Sequence, residues 1–213
     1  MEGIFLFFDK GGIFMWPIGF VLGLGIVIAI ERYIYLSTTK ASNKKMWNQL
    51  MPVLKDGSYQ KAYAIASKSK SAISNILAYG LARVQTVHRR DDVETAMEEG
   101  LMEAIPRLEK RTHYLATLAN ISTLLGLLGT IMGLIKAFNA VSNADPALKA
   151  DMLSGSISIA MYTTAFGLIA AIPLLLLHVL LQSKTTELVD SLEMASVKFL
   201  NVITKEYARK GGQ

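Results

Sequence analysis

Residues 121–138 read ISTLLGLLGTIMGLIKAF, a run apolar enough to cross a bilayer. Projected at about 100° per residue, Ala116, Ala119, Thr123, Gly126, Thr130, Gly133 and Ala137 fall on one side. Ile121, Leu124, Leu125, Leu128, Ile131, Met132 and Ile135 fall on the other. Lipid tails are as apolar as leucine, so helices in a bilayer associate through close backbone approach and interhelical hydrogen bonds. The small, hydroxyl-bearing side therefore marks a protein-facing surface, and the bulky side faces lipid or another apolar helix.

The rest of the chain extends this pattern. Its 213 residues are 52% hydrophobic, with a mean hydropathy of +0.36. Long apolar stretches occupy residues 12–30, 114–135 and 154–181, each close to or beyond the roughly 20 residues that span about 30 Å of hydrocarbon. The fold class expected is an all-α membrane protein with three transmembrane helices. The second and third extend into a cytoplasmic helical domain. Residues 1–10 (MEGIFLFFDK) lack a basic leader, and Glu31-Arg32 follows the first apolar stretch without a small-residue cleavage site, so that span is expected to be retained. The chain has no cysteine, which excludes disulfides and thiolate metal sites.

Charge placement orients the spans. Thirteen Lys or Arg residues lie between Lys40 and Arg111, against Lys10 alone before the first span and Lys149 alone in 139–153. The positive-inside rule then puts the N-terminus in the periplasm and the C-terminus in the cytoplasm. The expected organisation is a periplasmic or interfacial segment 1–11, transmembrane helix 12–36, a cytoplasmic helical segment 37–112 and transmembrane helix 113–138. A periplasmic loop 139–153 containing Asn143, Asp145 and Pro146, transmembrane helix 154–182 and a cytoplasmic C-terminal helix 183–213 complete it. The net charge of +5 follows from this topology and from contact with anionic lipid heads. The bases are interleaved with acids and alanines and no recognition motif is present, which argues against nucleic acid.

Between the first two spans, Gly57-Ser58 predicts a turn between helices over 45–54 and 59–68. Asp91-x-x-Glu94 resembles a capping box that opens a helix continuing to Phe138, with Pro106 kinking or loosening it. Leu188, Leu192, Ala195 and Phe199 have helical spacing and predict a tail that docks on the other helices. No phosphate loop, metal-ligand spacing or nucleophile elbow is present, so neither an enzyme nor a cofactor or metal site is expected.

The third span repeats the logic of the second. Ser156, Ala160, Thr163, Thr164, Gly167, Ala171 and His178 share a broad face, and Ile169, Ile172, Leu176 and Leu180 oppose it. Gly126, Gly133, Ala160 and Gly167 are the expected helix-packing residues. Two such faces either pack together or line a shared cavity, and the residues leave both open, since membrane threonines often bond the carbonyl one turn back. No Asp or Glu lies in the interior of any span; only His113, Lys136 and His178 come close, all toward helix ends. His178 is expected to be interfacial, and Lys136 to meet lipid heads or a partner carboxylate. Glu31-Arg32 is expected to mark the membrane boundary by snorkelling. Glu98, Glu99 and Glu103 either pair with Arg107 and neighbouring bases or line an ion exit.

Three runs carry a resemblance. Gly11-Gly12 with Met15-Trp16-Pro17-Ile18 and Glu31-Arg32-x-x-Tyr35-Leu36 is the first. Leu124-Leu125-Gly126-Leu127-Leu128-Gly129-Thr130 is the second, and Thr164-Ala165-Phe166-Gly167-Leu168 followed by Ala170-Ala171-Ile172-Pro173 is the third. In this order they resemble the MotA/TolQ/ExbB family over nearly the whole chain, most of all its short ExbB type. The resemblance implies a homopentameric ring in the bacterial inner membrane around a dimer of an ExbD-, TolR- or MotB-like single-span partner. The partner's membrane aspartate would carry H+ or Na+, with a TonB-like protein as the machine driven across to the outer membrane. Thr130, Thr163 and Thr164 would then supply hydroxyls along the ion pathway.

The chain also departs from the family pattern. ExbB and TolQ proteins usually carry a glutamate five residues before the threonine corresponding to Thr164, where this chain has Ile159, and Thr123 stands where many members have proline. Tyr162-Thr163-Thr164 resembles sodium-driven stator subunits, which implies sodium coupling. A TolQ-like or MotA-like motor role and a non-conducting oligomeric scaffold are the alternatives. The short segment between the first two spans and the absence of an extra N-terminal span count against MotA.

Overall fold

A computed structural model describes residues 11–86, 89–142, 145 and 147–211, with the side chains of Gln85 and of 206–211 left aside. The expected periplasmic segment, apart from Gly11, lies outside the described residues, as do Asn143 and Pro146 of the expected loop. The described chain is helical: α1 Met15–Lys55, α2 Tyr59–Lys68, α3 Ala72–Thr86, α4 Arg90–Glu109, α5 Thr112–Ser142 and α6 Lys149–Gly211. Three long helical stretches, those holding α1, α5 and α6, are apolar enough to cross a membrane.

The described residues of 1–31 and 111–181 form one compact unit, and those of 32–110 and 182–213 the other. The first unit has a small core of Met15, Ile18, Phe166 and Ala170, with Leu22 and Leu125 packed against it. Most of its apolar surface is uncovered: Phe20, Leu124, Leu176 and Leu180 are each more than 60% exposed. Only 22–33% of each apolar window is buried within the chain, so lipid or further chains must cover the remainder.

The second unit has a water-type core. Leu36, Leu50, Leu54, Ile76, Leu77, Leu81, Met97, Leu108 and Phe199 are fully buried. The α6 positions Leu188, Leu192, Ala195 and Phe199 are all buried, so the helical spacing of the tail does mark a packing face. A Cβ at Gly80 would touch both Met97 and Phe199 at about 3 Å, which places α3, α4 and α6 in mutual contact there.

Local structure corrects three sequence expectations. First, residues 45–54 are the end of an unbroken 41-residue α1 rather than a separate helix. The chain stops only at Gly57, whose φ of +72° lets Ser58 donate to the Val53 carbonyl at 3.2 Å and Gly57 to that of Leu54 at 3.1 Å. This is a Schellman ending, in which a glycine in the left-handed region closes the last turn.

Second, the helix expected to run from Asp91 to Phe138 breaks at Lys110-Arg111. Lys110 leaves helical geometry (ψ 135°) and Arg111 has φ +68°. The break falls four residues after Pro106, whose carbonyl still accepts from Lys110 at 3.0 Å. Third, Asp91 is not the N-cap. α4 begins at Arg90 after Arg89, with no side-chain cap bond, and Asp91 sits inside the first turn, where a carboxylate favours the helix dipole.

Candidate functional site

The sequence places small residues on one side of α5, and the structure shows where they go. Buried positions on α5 are Thr112, Leu115, Ala119, Ser122, Gly126, Gly129 and Ala137. The contact face is thus turned slightly from the expected one, leaving Thr123 exposed and Thr130 half-buried at its edge. The bulky residues Ile121, Leu124, Leu128, Ile131, Met132 and Ile135 are exposed.

α5 crosses α6 at glycines. A Cβ built on Gly126 would lie 3.2 Å from the Gly167 Cα, and one on Gly167 would lie 2.8 Å from the Ser122 carbonyl oxygen. One on Gly133 would lie 2.7 Å from the Ala160 Cβ. Any side chain at Gly126 or Gly167 would push the backbones apart. Gly129, not singled out from the sequence, faces the Thr163 side chain, whose Cβ would be 2.9 Å from an added Cβ. Its spacing from Gly126 and Gly133 was the available signal.

At this crossing Thr130 and Thr164 meet. Their hydroxyls are hydrogen-bonded to each other. Thr164 Oγ1 also reaches the Gly126 carbonyl at 3.0 Å, and Thr130 Oγ1 reaches the carbonyls of Gly126 at 3.2 Å and Ala160 at 3.4 Å. Each hydroxyl has one proton and two lone pairs. Four oxygens therefore share two protons, and either hydroxyl can reorient to present a lone pair or its hydrogen to an incoming group. Such a cluster can solvate a hard cation or hydrogen-bond a carboxylate in either protonation state.

Thr163 is not part of that cluster. It is buried, and its Oγ1 donates to the Gly11 carbonyl at 2.7 Å or the Ile159 carbonyl at 3.0 Å, which ties α6 to the segment preceding α1. Tyr162 is half-buried and Ile159 exposed. His178 Nδ1 lies 3.1 Å from the Thr112 carbonyl, with the His113 ring 6.3 Å away. Lys136 is exposed.

Arg32 corrects another expectation. It does not snorkel: it is 3% exposed, its guanidinium donates to the Leu108 carbonyl and stacks 4.8 Å above the Tyr35 ring. A helix end leaves carbonyls unpaired, and the last turn of α4 supplies this one. Glu31 instead pairs with Arg111 at 3.6 Å. Glu103 pairs with Arg107 at 2.5 Å and accepts from the Tyr79 hydroxyl at 3.2 Å. Among the described residues no three His, Cys, Asp or Glu side chains gather as metal ligands.

A family model described as the MotA/TolQ/ExbB proton channel family matches residues 68–194, more than half of the chain. The chain belongs to the MotA/TolQ/ExbB family. Members of this family are non-enzymatic transport proteins of the inner membrane, and this chain is accordingly a multi-pass membrane protein of the proton-channel class.

Its relatives include a protein of Methanothermobacter thermautotrophicus described as an ExbB-homologous biopolymer transport protein, 26% identical over 88% of this chain and 66% of the relative. The chain thus spans just under two thirds of that protein. Biopolymer transport protein exbB1 of Vibrio cholerae is 27% identical over 81% of this chain and 76% of its own length. The Tol-Pal system protein TolQ of Haemophilus influenzae is 42% identical over a shorter stretch, 37% of this chain and 34% of its own.

Proposed function

We propose that this chain is the ring-forming channel subunit of an ExbB-type motor in the bacterial inner membrane. Its N-terminus is periplasmic, and residues 37–112 and 183–213 lie in the cytoplasm. Five copies surround a dimer of an ExbD-like single-span partner, whose membrane carboxylate carries the ion, and the motor drives a TonB-like protein. The observation that carries this reading is the four-oxygen cluster at the α5–α6 crossing, in apolar spans (113–138 and 154–182) that have no carboxylate of their own.

The energetics are consistent. A charged aspartate inside a membrane costs about 2.5–3.5 kcal/mol on insertion scales, and an ion that neutralises it removes that cost. Hydroxyls and carbonyls poised as at Thr130 and Thr164 lower the barrier while the ion passes. Thr163 supports the pathway by positioning α6, with its hydroxyl held to Gly11. One charge crossing 100 mV yields about 2.3 kcal/mol, enough to bias a modest conformational step.

The coupling ion is sodium in this reading, because Ile159 replaces the usual glutamate and the cluster offers only neutral oxygens. A process that runs equally well on a proton gradient in sodium-free medium overturns the sodium assignment and leaves the motor intact.

Native mass spectrometry of the protein co-expressed with an ExbD-like single-span protein tests the assembly. A ring of five holding two partner chains is the expected mass. A stable oligomer that never retains a partner leaves the cluster without its carboxylate and favours the scaffold, a reading that the self-satisfied Thr130–Thr164 bonds also accommodate.

A further inference from the structure

The second unit carries a groove of about 290 Å³ lined by Lys40, Asn43, Lys44 and Trp47 of α1, Ile73 of α3 and the α6 residues around Met194 and Lys198. Leu192, Ala195 and Ile73 form a buried apolar floor, while Met194 and the next-turn Val197 are exposed beside it. All three lysines are exposed. Lys40 is held by Glu187 at 2.5 Å, whereas Lys44 and Lys198 have no ion pair among the described residues.

Asn43 supplies an independent observation. It is 5% exposed. Its Oδ1 accepts from the Ile73 N–H at 3.3 Å, which fixes the amide orientation and leaves Nδ2 with no partner among the described residues. A buried donor without an acceptor costs about 1–3 kcal/mol, and here it belongs to a residue that lines the groove.

We propose that this groove binds an acidic, amphipathic peptide segment of a partner protein. The segment places an apolar side chain over Ile73, Leu192 and Ala195 and carboxylates against Lys44 and Lys198. A carbonyl or carboxylate oxygen accepts from Asn43 Nδ2 once the overlying side chains shift. Charge complementarity selects the acidic partner, and the apolar floor selects a peptide over a bare anion.

A lipid headgroup fits less well. A headgroup offers no apolar side chain for the floor formed by Ile73, Leu192 and Ala195.

Trp47 makes the site observable, because Trp16 is the only other tryptophan of two. The full-length Trp16→Phe protein, in nanodiscs of phosphatidylcholine, is titrated with a short synthetic helical peptide bearing Glu and Leu on adjacent faces, and with the same peptide carrying Gln for Glu. The expected result is a saturable change in Trp47 emission with the Glu peptide only, weakened by salt. Lys44→Gln and Lys198→Gln, both at exposed positions, each weaken it roughly ten-fold, about 1.4 kcal/mol.

No saturable change, equal binding of the Gln peptide, or wild-type binding by both lysine variants overturns the proposal. So does a Trp47 response to phosphatidylglycerol vesicles in place of the peptide, or a groove closed to the peptide by a neighbouring copy of the chain. The assay reads nothing of ion flow, so its failure leaves the motor reading untouched.

Discussion

At the scale of single residues, the chemistry is concentrated in a few hydroxyls whose partners can be counted. Ser122 is fully buried in the α5–α6 crossing, and its Oγ has no hydrogen-bond partner among the described residues. Removing an unsatisfied buried hydroxyl relieves desolvation without loss of a bond, so Ser122→Ala is expected to stabilise the protein by roughly 1 kcal/mol, read as a higher Tm in detergent. A lower Tm would mean that the hydroxyl has an essential partner. In the second unit, the charge of Glu103, and then its hydrogen bond, raise the Tyr79 pKa above its ordinary 10.0. The folded state therefore holds this proton more tightly than the unfolded chain. The contribution to stability is fully present below pH 10 and is lost as pH rises past 10 toward the folded value. Phenolate absorbance, taken as the difference between wild type and Tyr79→Phe, should appear above the range of free tyrosine. Glu103→Gln should bring it back down; an unchanged titration would show that Glu103 is not the cause.

At the scale of elements, the apolar helices and the docking face of the α6 tail were legible, because composition and a 3.6-residue period act over many residues. What stayed hidden was decided by single contacts. Nothing periodic in the sequence says that α4 ends at Glu109, where Arg111 turns into the left-handed region and pairs with Glu31, a residue eighty positions earlier. Arg32 looked interfacial beside an apolar run, yet the Leu108 carbonyl draws it inward. Likewise Thr163 and Thr164 are adjacent in sequence but point to different partners, Gly11 and Gly126, a distinction set by helix rotation of about 100° per residue. The packing of α5 on α6 depends on the glycine crossing. Gly167→Leu, whose side chain would run into the Ser122 carbonyl, is expected to cost at least about 1–3 kcal/mol from overpacking. It should also lower the yield of intact oligomer by size-exclusion chromatography; wild-type yield and Tm would contradict the crossing.

At the scale of the whole molecule, the two units obey different solvents. One leaves most of its bulky apolar surface outward and packs α5 on α6 through glycine, serine and threonine, the pattern of a bilayer protein. The other buries leucine and phenylalanine under a charged surface. α1 and α6 pass through both units, and on the proposed reading an ion-driven change at the Thr130–Thr164 cluster would travel along them. The motor reading requires that ions pass that cluster. The most direct measurement is sodium and proton flux into proteoliposomes holding the complex with its single-span partner, comparing wild type with Thr130→Val and Thr164→Val. Valine keeps the shape and removes the hydroxyl. Both variants should assemble with unchanged mass and lose flux by roughly ten-fold or more, a barrier increase of at least about 1.4 kcal/mol. Wild-type flux through either correctly assembled variant would contradict the account.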